Sequence, residues 1–229
     1  MLRVSAPEGL GAARIAPLLP AFLERYREIS VDLRIDNRPL DLIAADLDLA
    51  IRIAREFTSP ALVVRRVAAA PIVLCASPDY LALHGAPSEP QDLAQHQCLR
   101  FTRLPWADAW PFIGADGIVD IPVDGRFTSD GEAALKHATL AGAGVALFPA
   151  HQIEAELRAG TLVPLLRERV PQRHAIYAVY PSARMISSKV RAFVDFLARD
   201  LKRDPLAGIV RPAERSVRRR ALPRRQARA

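Results

Sequence analysis

Three places in the chain combine residue types and spacing that could do chemistry. The first is Ser5-Ala6-Pro7-Glu8-Gly9, between an apolar strand pattern and a helical one. A helix start there offers unpaired N–H groups at its positive dipole end, where an anion is favoured. Ser5 adds a hydroxyl, and Gly9 permits close approach of backbone to a guest. The same residues also fit an ordinary strand-to-helix turn. The second place is Phe127-Thr128-Ser129-Asp130-Gly131-Glu132. Ser129 with Glu132 has the spacing of a capping box, again at the start of a helix. Asp130 disfavours a strong anion at that end. Two such junctions, far apart in sequence, suggest one guest gripped from two sides. The third is Asp48–Ile53, where Arg52 shares a strand face with Ala50 and Ala54. Near the carboxyl end of a strand, Arg52 can meet a carboxylate in bidentate fashion. It can equally be held in an ion pair with an acid such as Asp48.

Other chemistries find less support. Gly142-Ala143-Gly144 follows a helix and opens a strand, the reverse of a dinucleotide fingerprint, so these glycines read as a helix end with close packing. His84, His96 and Cys98 lack a second ligand pair at zinc spacing, so no metal and no cofactor is expected. There is no Gly-x-Ser-x-Gly elbow and no nucleophile with a placeable base, so the chain is not expected to be an enzyme. Cys75 and Cys98 are too few for a disulfide framework; Cys75 reads as a small buried side chain. Trp106 and Trp110 flank a loop.

The elements that must position these residues alternate between strand and helix. Strands are predicted at Leu2–Ala6, Val31–Ile35, Leu49–Ile53, Val63–Val67, Pro71–Ala76, Leu99–Phe101, Gly144–Phe148, Leu162–Leu166 and Ala175–Tyr180. Gly117–Phe127 alternates apolar positions. The first helix carries Ile15, Leu18, Leu19, Phe22 and Tyr26, with Pro17 and Pro20 expected to bend or interrupt it. Further helices are read at Leu40–Leu47, Asp79–Leu83, Pro90–Gln95, Ser129–Leu140, Ala150–Ala159 and Ser187–Leu201. The last has Val190, Phe193, Val194, Leu197 and Leu201 on one stripe. This order implies an α/β fold with mostly parallel sheets.

At 229 residues, half of them apolar, the chain can bury a substantial core. No apolar run approaches the ~20 residues of a membrane helix. The N-terminus lacks a signal-peptide core, which points to the cytoplasm. The net charge of +7 belongs to one segment: residues 203–229 hold nine arginines against Asp204 and Glu214, and the rest is neutral. That segment, with few large apolar side chains, reads as a disordered extension; it could also hold nucleic acid through phosphates.

Taken in order, Ser5-Ala6-Pro7, Asp48-Leu49-Ala50-Ile51-Arg52 and Val73-Leu74-Cys75-Ala76-Ser77-Pro78-Asp79-Tyr80-Leu81 resemble the effector-binding domain of LysR-type transcriptional regulators. So do Pro90-x-Asp92-Leu93-x-x-His96-x-Cys98-Leu99, Gly142-x-Gly144-Val145-Ala146-Leu147-Phe148-Pro149, Gly160-Thr161-Leu162-Val163 and Val190–Leu197; the likeness covers about residues 2–201. The resemblance implies two Rossmann-like subdomains of the periplasmic-binding-protein type II kind, joined by two crossovers. Subdomain I would comprise 1–76 plus 178–201, and subdomain II 77–177, with 202–229 as the tail. A small effector, polar or carboxylate-bearing, would sit between them against Ser5, Pro7, Glu8, Arg52, Phe101, Thr128, Ser129, Asp130 and Phe148. The resemblance also implies antiparallel homodimers, and DNA contact through a winged helix-turn-helix that precedes this domain in the family and is not in this sequence. No membrane partner is implied. The alternative is a free-standing solute-binding protein of periplasmic type, which shares the two-lobed plan.

Overall fold

The computed structural model describes residues 1–38, 42, 44–57, 61–104, 107–181 and 187–201. The chain starts with β1 (Leu2–Ala6), then a helical run through α1 (Glu8–Leu10) to α2 (Leu19–Arg25). Between these, Gly11–Ile15 winds as π-helix and Ala16–Leu18 as 3₁₀-helix. Pro17 and Pro20 therefore change the pitch of the run without ending it, each taking one N–H out of the ladder. Next come β2 (Val31–Ile35), β3 (Leu49–Ala54), β4 (Leu62–Ala69), β5 (Ile72–Ala76) and α3 (Pro78–His84). Ser77 caps α3 by accepting the Tyr80 N–H at 3.3 Å. A 3₁₀ turn, Pro90–Gln95, leads to β6 (Arg100–Phe101), β7 (Ala109–Gly114), β8 (Gly117–Pro122) and β9 (Thr128–Ser129). After α4 (Glu132–Leu140) come β10 (Ala146–Pro149), a 3₁₀ turn (Ala150–Gln152), α5 (Glu154–Ala159), β11 (Val163–Leu165), β12 (Ala175–Pro181) and α6 (Ser188–Leu201).

Two larger sheets hold eight of these strands, and β6 with β9 and β7 with β8 form two-stranded pairs. The first larger sheet has order β2-β1-β3-β12-β4, the second β10-β5-β11. In the first, β1 runs parallel to β2 and β3, while β12 runs antiparallel to β3 and β4. The second is antiparallel throughout. The expectation of mostly parallel sheets is thus corrected. β12 re-enters the first sheet after a long excursion and arrives running opposite to its neighbours.

We call the elements around the first sheet lobe I and those around the second lobe II. Two crossings connect them, at Ala70–Pro71 and at Pro171–His174. Of the changeovers expected at Ala76 and Ala178, Ala76 is the last residue of β5, which pairs with β10 and β11 of lobe II, and Ala178 lies within β12, which pairs with β3 and β4 of lobe I. The crossings are tied together. The Gln172 side chain accepts the Ile72 N–H at 3.0 Å and donates to the Ile72 carbonyl at 2.9 Å. The Ala70 N–H reaches the His174 carbonyl at 2.9 Å.

Each lobe has its own core. In lobe I, the predicted α6 stripe of Val190, Phe193, Val194, Leu197 and Leu201 is buried against Leu2, Val4 and Ile51. Phe22 meets Phe193 edge-on, with ring centroids 5.0 Å apart. In lobe II, β5 is buried on both faces. Ile72, Leu74 and Ala76 pack with Tyr80, Leu93 and Phe112, while Val73 and Cys75 pack with Leu135, Phe148 and Ile153. Behind α4, Gly142 takes a positive φ of 82° and Gly144 lies against the Gln97 carbonyl where a Cβ would not fit. The two glycines do serve a helix end and a close approach.

Other departures are local. The helix read at Leu40–Leu47 falls partly outside the described residues, and its described part, Leu42 and Ala44–Asp46, is turn. The helix read at Ala150–Ala159 breaks at Ile153 into a 3₁₀ turn and α5. The alternating stretch after Gly117 forms β8, hairpin partner of β7, a strand the sequence pattern did not mark. Trp110 is buried in it, while Trp106 and the basic segment 202–229 lie outside the described residues.

Candidate functional site

The two helix starts singled out in the sequence do meet, but they face each other. Pro7 is extended and precedes α1; Gly131 precedes α4. The Gly9 N–H donates to the Glu132 carboxylate at 2.7 Å, and the Glu132 N–H donates to the Glu8 carboxylate at 3.0 Å. Each start is capped by a glutamate of the opposite lobe, a favourable place for negative charge. Glu132 also accepts from Gln152 Nε2 at 2.5 Å. It therefore does not close a capping box with Ser129, whose hydroxyl instead accepts the Gly131 N–H at 3.0 Å. Burial pushes the Glu132 carboxyl up to about 7; the neighbouring Glu8 adds to this, against the Gly9 and Gln152 hydrogen bonds. Gly9 leaves room for this contact, since a Cβ there would run into the Gln152 side chain and displace it from Glu132.

Arg52 lies on β3 with its side chain largely enclosed. It donates to the Ser5 hydroxyl at 3.0 Å and to the Ile51 carbonyl at 2.8 Å. Among the described residues no carboxylate lies within ion-pair distance of it. Burial lowers its pKa, opposed by the field of Asp36, yet a guanidinium stays charged at neutral pH. The ion pair with Asp48 considered above does not form. Asp48 instead meets Lys189 at 2.8 Å and accepts the Arg3 N–H at 2.8 Å.

Between the lobes lies a cavity of about 600 Å³, within the range of small-molecule sites. Pro7, Arg52, Phe101 and Phe148 line it. Glu8 and Asp130 line a smaller pocket of about 290 Å³ that shares Asn37, Arg38 and Arg103 with the larger one. Ser5 is fully buried behind Arg52, Ser129 is half-buried, and Thr128 is exposed on the two-residue β9; none of these three is among the residues lining either space. Sequence reasoning missed Arg38, Arg55, Arg103 and His174. Arg38 and Arg55 sit just past the carboxyl ends of β2 and β3, so the rule that pointed to Arg52 could have found them. Arg38 pairs with Asp36 at 2.7 Å and Arg103 with Asp130 at 2.7 Å. Burial and the Arg55 charge push His174 down to about 4, which keeps the imidazole neutral.

Among the described residues no cluster of His, Cys, Asp and Glu could hold a metal ion. Cys75 and Cys98 are free and buried; burial pushes the Cys98 thiol up to about 12. No helix among the described residues is long and apolar enough to cross a membrane.

Comparison with known proteins agrees with this architecture. The family model for the LysR substrate binding domain matches residues 1–202. The chain is 32% identical over 202 residues to the HTH-type transcriptional regulator CrgA of Neisseria meningitidis, covering 88% of this chain and 67% of that protein. It is 33% identical over 207 residues to PtxR of Pseudomonas aeruginosa, covering 89% and 65%. The chain thus spans about two thirds of the length of these relatives. The CrgA regulatory domain superposes with a TM-score of 0.79 at 31% identity, over 87% of this chain and 98% of that one. The effector domain of AmpR from Pseudomonas aeruginosa gives 0.71 at 25% identity, over 87% and 96%. With its fold of the periplasmic-binding-protein type II kind and this match across both lobes, the chain belongs to the LysR-type transcriptional regulators, of which it is a substrate-binding domain.

Proposed function

We propose that this domain senses a small carboxylate-bearing effector in the cavity between its lobes, pairs with a second copy, and works in the cytoplasm. The observation that carries this reading is Arg52, an enclosed guanidinium facing a cavity of about 600 Å³ with no carboxylate partner among the described residues. An effector carboxylate is the missing counter-charge. Ser5 holds Arg52 in place from behind, Pro7, Phe101 and Phe148 form walls, and Glu8 and Asp130 line the smaller pocket beside it, while Thr128 and Ser129 line neither space. A guest touching both lobes favours the arrangement that it fits best, and their relative movement is the output. The lobes divide at the two crossings, Ala70–Pro71 and Pro171–His174. In the whole regulator that movement would reach DNA through a winged helix-turn-helix.

A sensor fits the cavity better than an enzyme does. The carboxylates that line it and the smaller pocket beside it are already engaged among the described residues: Glu132 by Gly9 and Gln152, Glu8 by the Glu132 N–H, Asp36 by Arg38 and Asp130 by Arg103. The match to regulators also favours this reading over a free-standing solute-binding protein. The test is a thermal-shift screen of carboxylate metabolites. A true effector at a hundred times its Kd stabilises by about 2.7 kcal/mol, a gain that Arg52→Gln should abolish. If stabilisation by every active compound survives that substitution, the site assignment is wrong. Sedimentation at high concentration checks the pairing; a strict monomer would remove it from the proposal.

A further inference from the structure

The cavity divides its polarity unevenly between the lobes. Resting on the effector-site reading above, we infer that the guest is an amphipathic monocarboxylate. Its one anionic head lies on Arg52 of lobe I, and an aromatic or branched apolar body lies against lobe II. Four arginines line the cavity, but Arg38 and Arg103 are neutralised in place by Asp36 and Asp130. Arg55 is exposed beyond the end of β3, which leaves Arg52 as the enclosed cation with unbalanced charge among the described residues. A second carboxylate on the guest would find no further enclosed cation among the described residues.

Lobe II presents the opposite character. Among the described residues its polar lining side chains besides Arg103 are Glu132 and Gln152, which hydrogen-bond to each other. The rest of that wall is Phe101, Leu104, Leu135, Leu147, Phe148 and their apolar neighbours. A hydroxylated or dicarboxylate guest would bury polar atoms there without partners, which is costly. An apolar body instead gains by leaving water, and only when lobe II closes over it. The head thus fixes where the guest sits on lobe I, and the body makes closure favourable.

The test is calorimetric titration of the whole chain with phenylpropanoate, its uncharged isostere phenylpropanamide, and succinate. Phenylpropanoate should bind at least about tenfold more tightly than the other two. Arg52→Gln should bring it to the level of the amide, and Arg52→Lys, which keeps the charge but loses the fork, should fall between. Phe101→Ala should weaken phenylpropanoate and leave succinate unchanged. Circular dichroism of each variant separates lost binding from lost fold. Succinate binding as tightly as phenylpropanoate, still dependent on Arg52, overturns the apolar body and leaves the effector site standing. Equal binding of acid and amide overturns the anionic head. Binding that is insensitive to Arg52 in a folded variant, or no binding of any probe, overturns both the inference and the site.

Discussion

Glu8 and Glu132 exchange carboxylates across the interlobe space: Glu132 accepts the Gly9 N–H at 2.7 Å, and Glu8 accepts the Glu132 N–H at 3.0 Å. The helix starts that could have held an anionic guest are therefore already satisfied by the chain. A guest must find its counter-charge elsewhere, which gives Arg52 its importance.

Burial of the Glu132 carboxyl, reinforced by the neighbouring Glu8 and opposed by its hydrogen bonds from Gly9 and Gln152, makes stability depend on pH near neutrality. Glu132 titrates at about 7 here, against 4.5 for the ordinary side chain. A folded-state pKa raised in this way contributes stability that is complete below about pH 4.5 and lost as pH rises through about 7. Wild type should therefore lose stability between pH 5 and 8 by up to about 3 kcal/mol relative to Glu132→Gln, which keeps the geometry without the charge. Melting temperatures across that range, measured for both proteins, check this; parallel profiles would contradict it.

Gly9 is a matter of space. Gly9→Ala should destabilise by about 1–3 kcal/mol, because its methyl collides with Gln152. Gln152→Ala should relieve most of that cost in the double variant. Denaturant unfolding of the two single variants and the double variant gives the coupling directly. Additive losses would mean that the methyl finds room some other way.

Ser5 and Ser129 looked equivalent in sequence and should behave differently. Ser5 is buried against Arg52, so Ser5→Ala takes an acceptor from a charged donor and should cost about 1 kcal/mol or more. It should also weaken any carboxylate that Arg52 holds. Ser129→Ala loses only two local bonds, both to the Gly131 backbone two residues away on a half-exposed turn, and should stay within about 0.5 kcal/mol. Unfolding curves and probe titration read both effects.

The two thiols should be inert in the native state. Burial raises both pKa values, Cys98 to about 12, so little thiolate forms at neutral pH. Thiol-specific reagents should label Cys75 and Cys98 only once the chain is unfolded in denaturant. Rapid labelling of folded protein would show that lobe II opens readily.

What the sequence determined was local. The α6 stripe, the β1, β3 and β5 strands, the Ser77-Pro78 helix start and the glycines after α4 follow from periodicity, caps and backbone freedom, which depend on neighbours a few residues apart. The carboxyl-end rule pointed to Arg52 as well. Tertiary structure decided the rest. The antiparallel entry of β12 depends on where a long excursion returns. Ser129 and Glu132 match a capping box by spacing, yet Glu132 turns to Gly9, 123 residues away, because an opposing helix start holds its carboxylate better than its own turn does. Whether Arg52 meets Asp48 or an open cavity was equally beyond local pattern. Lys189 of α6 had first to be packed beside Asp48, and only the folded chain brings them together.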